Sequence, residues 1–407
     1  MDLLSASYED DTVAWYESDG SLSFTERIVT TLADHARMVF AIDVDGDGDV
    51  DALSASVDDD TVAWYENDGS ESFAERVITT LAHYAYAIYA LDVDGDGDVD
   101  VLSTSYTDDK LAWRENDGAE SFAERAVSHS LAGPTCLVAA DVDGDGDADL
   151  LAASWPDDAV AWFANDCAAP TPRPTTHCAS VAFSERVLAA GADGATAVFA
   201  VDVDGDGDID VLSASSKDDT VAWYENDGSQ SFTERIITTL ADGAFSVFAI
   251  DVDGDGDVDP LATSVQDDTV AWYENDGSES FTERVVTTLA EYAFSVFAID
   301  VDGDGDVDAL SASSDTVAWY ENDGSQSFIN RVITASADQA TSIFAIDVDG
   351  DGDVDALSAS SNDDTVAWYE NDTGEDDEPP VFAEHIITTL ADAAFSVFAI
   401  DVDVDGD

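Results

Sequence analysis

The sequence predicts an all-β fold, an eight-bladed β-propeller of four-stranded antiparallel blades. Three observations carry that expectation. First, a nine-residue acidic segment, Asp-Val-Asp-Gly-Asp-Gly-Asp-x-Asp, begins at Asp43, Asp92, Asp141, Asp202, Asp251, Asp300 and Asp347, with a clipped copy at Asp401. Four of the seven intervals are 49 residues, and the others carry an insertion of 12, a deletion of 2 and an insertion of 5. A fixed period of this size marks a propeller, solenoid or array. Second, every repeat contains four short β-prone runs. Third, the ends are in phase: Asp2-Leu-Leu-Ser-Ala-Ser7 matches Asp51-Ala-Leu-Ser-Ala-Ser56, and Asp401–Asp407 stops inside the acidic segment.

The repeat from Phe245 to Ala290 shows the elements in order. Phe245–Asp251 is a short apolar run and reads as the first strand. The acidic segment then turns the chain. Pro260–Ser264 is the second strand, and Gln266–Asp268 is a turn. Thr269–Glu274, rich in β-branched and aromatic residues, is the third strand. Asn275-Asp-Gly-Ser278 is a hairpin signal, and Phe281–Thr288 is the fourth strand. Four antiparallel strands in some 40–50 residues make one propeller blade. Blades pack on both faces, so their strands need not alternate apolar and polar residues. A helical solenoid would require 3.6-residue periodicity, which is missing.

The ends then complete one another. The N-terminus supplies strands two to four of a blade and the C-terminus supplies strand one. The expectation is a single domain over residues 1–407, closed as a monomeric ring. A seven-bladed ring and an array clipped from a longer chain are the alternatives.

Net charge is −80, from 92 acidic and 12 basic residues. Forty of the acidic residues fall on the repeated segments or the split copy, so much of the charge is placed and not merely solubilising. Lys and Arg are too few for a nucleic-acid surface or an anionic membrane. No apolar run of about 20 residues exists to cross a bilayer. Met1 leads directly into repeat sequence with no signal peptide, as expected of a mature chain or a fragment. The 45% hydrophobic content is patterned, which excludes disorder.

Carboxylates at every second position repel one another unless a cation sits among them. Oxygen-only donors on a short flexible loop suit Ca²⁺. Mg²⁺ demands a stricter octahedron, and Zn²⁺ favours His or Cys. The candidate metal residues are Asp43, Asp45, Asp47, Asp49 and Asp51 in the first loop, then Asp92, Asp94, Asp96, Asp98 and Asp100. Asp141, Asp143, Asp145, Asp147 and Asp149 follow, and then Asp202, Asp204, Asp206, Asp208 and Asp210. The remaining full loops hold Asp251, Asp253, Asp255, Asp257 and Asp259; Asp300, Asp302, Asp304, Asp306 and Asp308; and Asp347, Asp349, Asp351, Asp353 and Asp355. Asp401, Asp403, Asp405 and Asp407 with Asp2 would rebuild an eighth site across the chain ends.

In the Asp251 loop, side chains at positions 1, 3, 5 and 9 (Asp251, Asp253, Asp255, Asp259) are assigned as ligands. Asp257, at position 7, is assigned through its backbone carbonyl, and Gly256 makes the sharp turn. Such an ion staples the first two strands, with a sensor or metal-bridged ligand site as the alternative. At a Kd near ~10⁻⁴ M and about 1 mM Ca²⁺, each ion adds roughly 1.4 kcal/mol, or on the order of 11 kcal/mol for eight. Without Ca²⁺ the loops are expected to repel and the ring to loosen.

The Asp-x-Asp-Gly-Asp-Gly-x-x-Asp segment followed by Leu-Ser-Ala-Ser resembles the FG-GAP/VCBS repeat family, and the third-strand Ala-Trp-Tyr-Glu-Asn-Asp-Gly resembles its VCBS-like branch. The resemblance covers essentially the whole chain. It implies a calcium-binding propeller of secreted or cell-surface proteins, used in adhesion, in ligand recognition or beside enzymes. Integrin α-chain propellers of this type have seven blades, so their ligand surface is not carried over.

Trp15, Trp64, Trp113, Trp162, Trp223, Trp272, Trp319 and Trp368 recur in the third strand, each followed by an aromatic except Trp113, which precedes Arg114. They read as inter-blade core, with sugar-stacking platforms as the alternative. Trp155 falls outside the pattern, at the start of a turn. Cys167 and Cys178 flank a Pro/Thr-rich insertion (167–178) and read as a local disulfide, favouring an oxidising compartment. That insertion also suits O-glycosylation. Cys136 reads as a buried free thiol. His35, His83, His129, His177 and His385 form no catalytic pattern, so no enzyme is expected. The functional expectation is an extracellular or cell-surface interaction or adhesion module with a protein or glycan ligand. The alternatives are a lectin using inter-blade aromatics and a non-catalytic module of a larger secreted enzyme.

Overall fold

The computed structural model describes all residues except 19–22, 71, 167–180, 373–379, 401 and 403–407. Eight four-stranded antiparallel sheets form an eight-bladed propeller. In a typical blade the strands are Ala244–Ile250, Asp259–Ser264, Thr269–Asn275 and Phe281–Thr287, paired in chain order. The expected boundaries hold to within one residue. The last sheet is composite: Ala394–Ile400 pairs with Asp2–Ser7, which continues to Thr12–Ser18 and Phe24–Thr30. Leu4 stands opposite Phe398 in that register. The chain therefore adopts the closed eight-bladed ring, not the seven-bladed or open alternatives.

Burial follows the blade from inside to outside. The second strand is buried throughout, and the third is buried in all but its Glu. The fourth is exposed over Thr282–Val285. Each core cluster joins two blades: Leu212, Val221 and Trp223 pack with Ala262, Ala271 and Tyr273 of the next blade. The third-strand tryptophans are 0–4% exposed. Trp223 meets Phe281 of the next blade edge-on at 5.9 Å, and Trp15 meets Phe73 likewise at 5.9 Å. They are core and cannot serve as sugar platforms, which corrects that alternative. Across the ring closure Phe24 meets Trp368 at 5.7 Å in the same geometry. Around the axis, Phe199, Phe248, Phe297 and Phe344 of successive first strands lie 5.0–5.4 Å apart.

The turn between strands two and three holds an aspartate in the left-handed region, as at Asp219 (φ 60°) and Asp268 (φ 61°). Asp tolerates that conformation better than most residues. Its carboxylate accepts a backbone N–H from the next inter-blade connection: Gly243 to Asp219 at 2.9 Å and Tyr292 to Asp268 at 3.2 Å. Part of the acidic charge outside the loops thus tethers blade to blade.

The blade that holds the Asp92 loop departs from the pattern. Arg114 stands where other blades have Tyr or Phe, is 1% exposed, and donates to Ser103 at 2.6 Å. The usual Tyr makes the equivalent bond, as Tyr65 does to Ser54 at 3.0 Å. Burial lowers the Arg114 pKa to about 10, with Glu124 partly offsetting it. Cys136 is free and packs against the core between two blades, where burial raises the thiol pKa. The Cys167–Cys178 pairing, the insertion and His177 lie outside the described residues.

Candidate metal centre

The acidic loops connect strands one and two, and they fold alike. In the Asp251 loop, Gly254 and Gly256 adopt φ of +73° and +99°. Open space surrounds both glycines, so the backbone conformation and not crowding requires them. Their N–H groups donate to the two oxygens of Asp251, at 2.8 and 3.0 Å. Asp255 N–H donates to Asp253 at 3.3 Å, and Asp257 N–H to Asp255 at 2.9 Å. The loop is thus a spiral of carboxylates held by its own amides.

Position 9 behaves differently. Asp259 is fully buried and accepts two amides, from Val252 at 2.9 Å and from Asn275 at 2.7 Å. It ties the loop to the end of strand three. The same pair of bonds recurs at Asp51, Asp100, Asp149, Asp210, Asp308 and Asp355. Sequence spacing alone had suggested a ligand and nothing more. Burial raises the pKa of Asp51, Asp100, Asp210, Asp259, Asp308 and Asp355 to about 7, and of Asp149 to about 6. The amides oppose that shift. The Trp223 indole also favours charged Asp210, though it does not reach hydrogen-bond geometry.

The structure brings together part of each expected ligand set. Asp43, Asp45 and Asp51 place carboxylate oxygens within 4.8 Å of one another, as do Asp141, Asp143 and Asp149. In the second loop Asp92, Asp94 and Asp96 converge to the same extent. Position 7 turns its side chain elsewhere. A Cβ on hairpin Gly277 would sit 2.5 Å from an Asp257 oxygen, and Gly69 and Gly118 crowd Asp49 and Asp98 likewise. The position-7 side chain thus lies against the hairpin, and the sequence assignment gives the ion its backbone carbonyl instead.

The donor set fits a hard cation. It consists only of oxygens, it converges, and Asp251, Asp253 and Asp259 have no ion pair to Lys, Arg or His among the described residues. In the third loop Asp141 Oδ1 is shielded from solvent with no hydrogen-bond partner. The basic residues are engaged elsewhere: Arg284 with Glu274 at 2.6 Å, Arg235 with Glu225 at 2.5 Å and Arg125 with Glu115 at 2.7 Å.

Neighbouring blades grip each loop. Asn226 Nδ2 donates to the Val142 carbonyl of the preceding blade's loop at 2.8 Å, and Asn275 to Val203 at 3.1 Å. Gln230 and Gln326 donate to position-3 Asp143 and Asp253 of the preceding blade, both at 2.8 Å. A loop that changes shape therefore strains two blades. At the split loop, Asp2 accepts Ser18 N–H at 2.8 Å and Val402 N–H at 3.0 Å, reproducing the position-9 arrangement across the chain ends. Asp401, Asp403, Asp405 and Asp407 lie outside the described residues.

The model of the family described as FG-GAP-like repeat matches residues 1–54, 43–103, 92–152, 202–262, 261–311, 300–358 and 347–407. No curated protein matches the chain. Among solved structures, an Agrocybe aegerita lectin, described as recognising non-reducing terminal N-acetylglucosamine, is similar at TM-score 0.53 and 15% identity. That match covers 90% of this chain and 96% of the lectin. A putative 6-phosphogluconolactonase from Bacteroides fragilis gives TM-score 0.53 at 13% identity, covering 82% of this chain and 95% of its own. A protein from Lactobacillus plantarum gives TM-score 0.52 at 12% identity, covering 97% and 98%. At these identities the likeness is one of fold.

Proposed function

The chain belongs to the FG-GAP-like repeat family, and on that premise we propose that it is a calcium-stapled β-propeller serving as an extracellular interaction module. The observation that carries the reading is the convergence of oxygen-only donors, Asp43, Asp45 and Asp51 among them, with no Lys, Arg or His in ion-pair contact with these three among the described residues; the nearby Arg76 is paired with Glu66 and Glu120. Positions 1, 3, 5 and 9, with the carbonyl of position 7, would hold Ca²⁺. The ion would supply positive charge that lets the loop carboxylates stay ionised side by side. The protein's part is to present them on a spiral fixed by Gly amides and gripped by the next blade.

The role in this reading is binding. His35, His83 and His385 each pair with carboxylates. No helix among the described residues is long and apolar enough to cross a membrane. The partner is a protein or a glycan. Glycan recognition is supported by a lectin sharing this fold, although the third-strand tryptophans take no part in it.

Thermal unfolding in calcium and in chelator tests the proposal. A Tm at least about 10 °C higher in calcium is expected from several kcal/mol of linked binding. Equal Tm values would overturn it.

A further inference from the structure

The loop end of the ring is nearly invariant from blade to blade, and the opposite end is not. At the second residue of the first strand seven blades carry Arg37, Tyr86, Thr135, Thr196, Phe245, Thr341 and Phe395, and Phe294 holds the matching position just before the shorter strand Ser295–Ile299. Just beyond the second strand stand Tyr8, Tyr106 and Trp155, where the other repeats carry Val or Ser. A strand of seven residues separates this end from the acidic loops by about 20 Å. A repeated scaffold with one variable end places recognition at that end.

A cavity of about 430 Å³ opens there and spans five blades. This is the size of small-molecule sites, about 300–1,000 Å³. Its aromatic wall includes Tyr86 and Tyr106, stacked at 6.0 Å and 28°, with Trp155 also lining it. Trp155 is 42% exposed, whereas the strand-three tryptophans are buried. Thr135 and Thr196 add hydroxyls.

Arg37 gives the cavity its charge. Its guanidinium lies 3.7 Å over the Tyr86 ring and 5.0 Å from the Phe395 ring, and it donates to the Tyr86 hydroxyl at 2.5 Å. Among the described residues no carboxylate lies within ion-pair distance of it, although the net charge is −80. Lys217, beside Trp155, is already paired with Asp158 at 2.9 Å and Asp193 at 3.3 Å. The cavity thus offers one available cation, aromatic faces and hydroxyls. One guanidinium matches a singly charged, planar carboxylate. A phosphate dianion would need more positive charge than this site holds. The aromatic faces suit the C–H face of a pyranose, and the hydroxyls suit its hydroxyl groups.

We propose that this axial cavity binds a terminal acidic sugar of the uronate class, its carboxylate on Arg37, which Tyr86 holds in place, and its ring against Tyr106 and Trp155. The inference rests on the glycan reading and is independent of calcium in the loops, which lie at the other end. The test is Trp fluorescence during titration with methyl glucuronide, methyl glucoside and benzoate, in calcium and in chelator, with circular dichroism to monitor folding. Trp155 is the reporter. Saturable change with the uronide is expected at a Kd in the range of about 0.1–5 mM, with the glucoside weaker by about 10-fold or more. Arg37→Thr adopts the residue of three other blades, so it should fold with unchanged Tm and lose about 10-fold in affinity. Trp155→Ser, adopting the residue of the next blade, should abolish binding measured by calorimetry. The proposal fails if folded protein shows no saturable uronide binding below about 50 mM. It fails equally if uronide and glucoside bind alike, if benzoate binds in place of the uronide, or if folded Arg37→Thr binds as tightly as wild type.

Discussion

Asp259 and Asp253 sit in one loop, yet their removal should have different consequences. Asp259 accepts two buried amides, from Val252 at 2.9 Å and Asn275 at 2.7 Å. Asp259→Ala leaves both N–H groups without a partner in a site closed to water. Each orphaned donor costs about 1–3 kcal/mol, so the loss is roughly 2–6 kcal/mol. It should appear in chelator as well as in calcium, because the two hydrogen bonds are lost under both conditions, with the lost metal ligand adding to the cost in calcium. Asp253 accepts the Asp255 amide at 3.3 Å and the Gln326 side chain at 2.8 Å, both in exposed positions. Asp253→Ala should therefore cost little in chelator, within about 1 kcal/mol, and considerably more in calcium. Urea unfolding of both variants under both conditions measures this. An Asp259→Ala variant as stable as wild type in chelator would refute the anchoring role of position 9. The same logic applies to Asp2 at the split loop. Its bonds to Ser18 and Val402 mean that Asp2→Ala should destabilise with and without calcium.

Three more outcomes follow from the geometry. In chelator, stability should fall as pH rises from about 4 to about 7. The position-9 carboxyls have folded pKa values raised to about 7, above the unfolded value near 3.8, so the folded state holds more protons across that window. In calcium the trend should weaken or reverse, since the ion binds the ionised form; urea midpoints between pH 4.5 and 8 check both signs. Arg114→Tyr restores the hydroxyl partner of Ser103 and removes a buried charge, so it should stabilise the ring by roughly 1–4 kcal/mol, read as a higher urea midpoint. Trp223→Ala empties the contact with Phe281 at a fully buried position and should cost about 3–5 kcal/mol in calcium and chelator alike, by the same measurement.

The blade architecture was legible because the 49-residue period and the turn chemistry repeat without interruption. The composite blade was legible from the phase of Asp2 against Asp51. The double role of position 9 was not. A carboxylate at the last loop position looks the same in sequence whether it meets an ion or two amides, and the Asn275 amide that decides it lies 16 residues away. The tryptophans were ambiguous for a related reason: a strand-three aromatic is buried or exposed according to the next blade, and Phe281 settles it for Trp223. A usable signal was present, since each Trp follows a small Ala in a β-branched strand suited to close packing on both faces. The axial cavity was hidden because its residues come from five blades. Comparing repeats position by position would have isolated Arg37, Tyr86 and Trp155 as the odd residues, but only the ring brings them together.

Anomalous diffraction from crystals grown in calcium and then exchanged with a lanthanide tests the central claim most directly. The metal-loop reading predicts one strong peak inside each of the seven full loops. In the calcium form the ion should lie about 2.3–2.6 Å from oxygens of positions 1, 3, 5 and 9 and from the position-7 carbonyl. Empty loops, or ions bound only at surface carboxylates elsewhere, would contradict it.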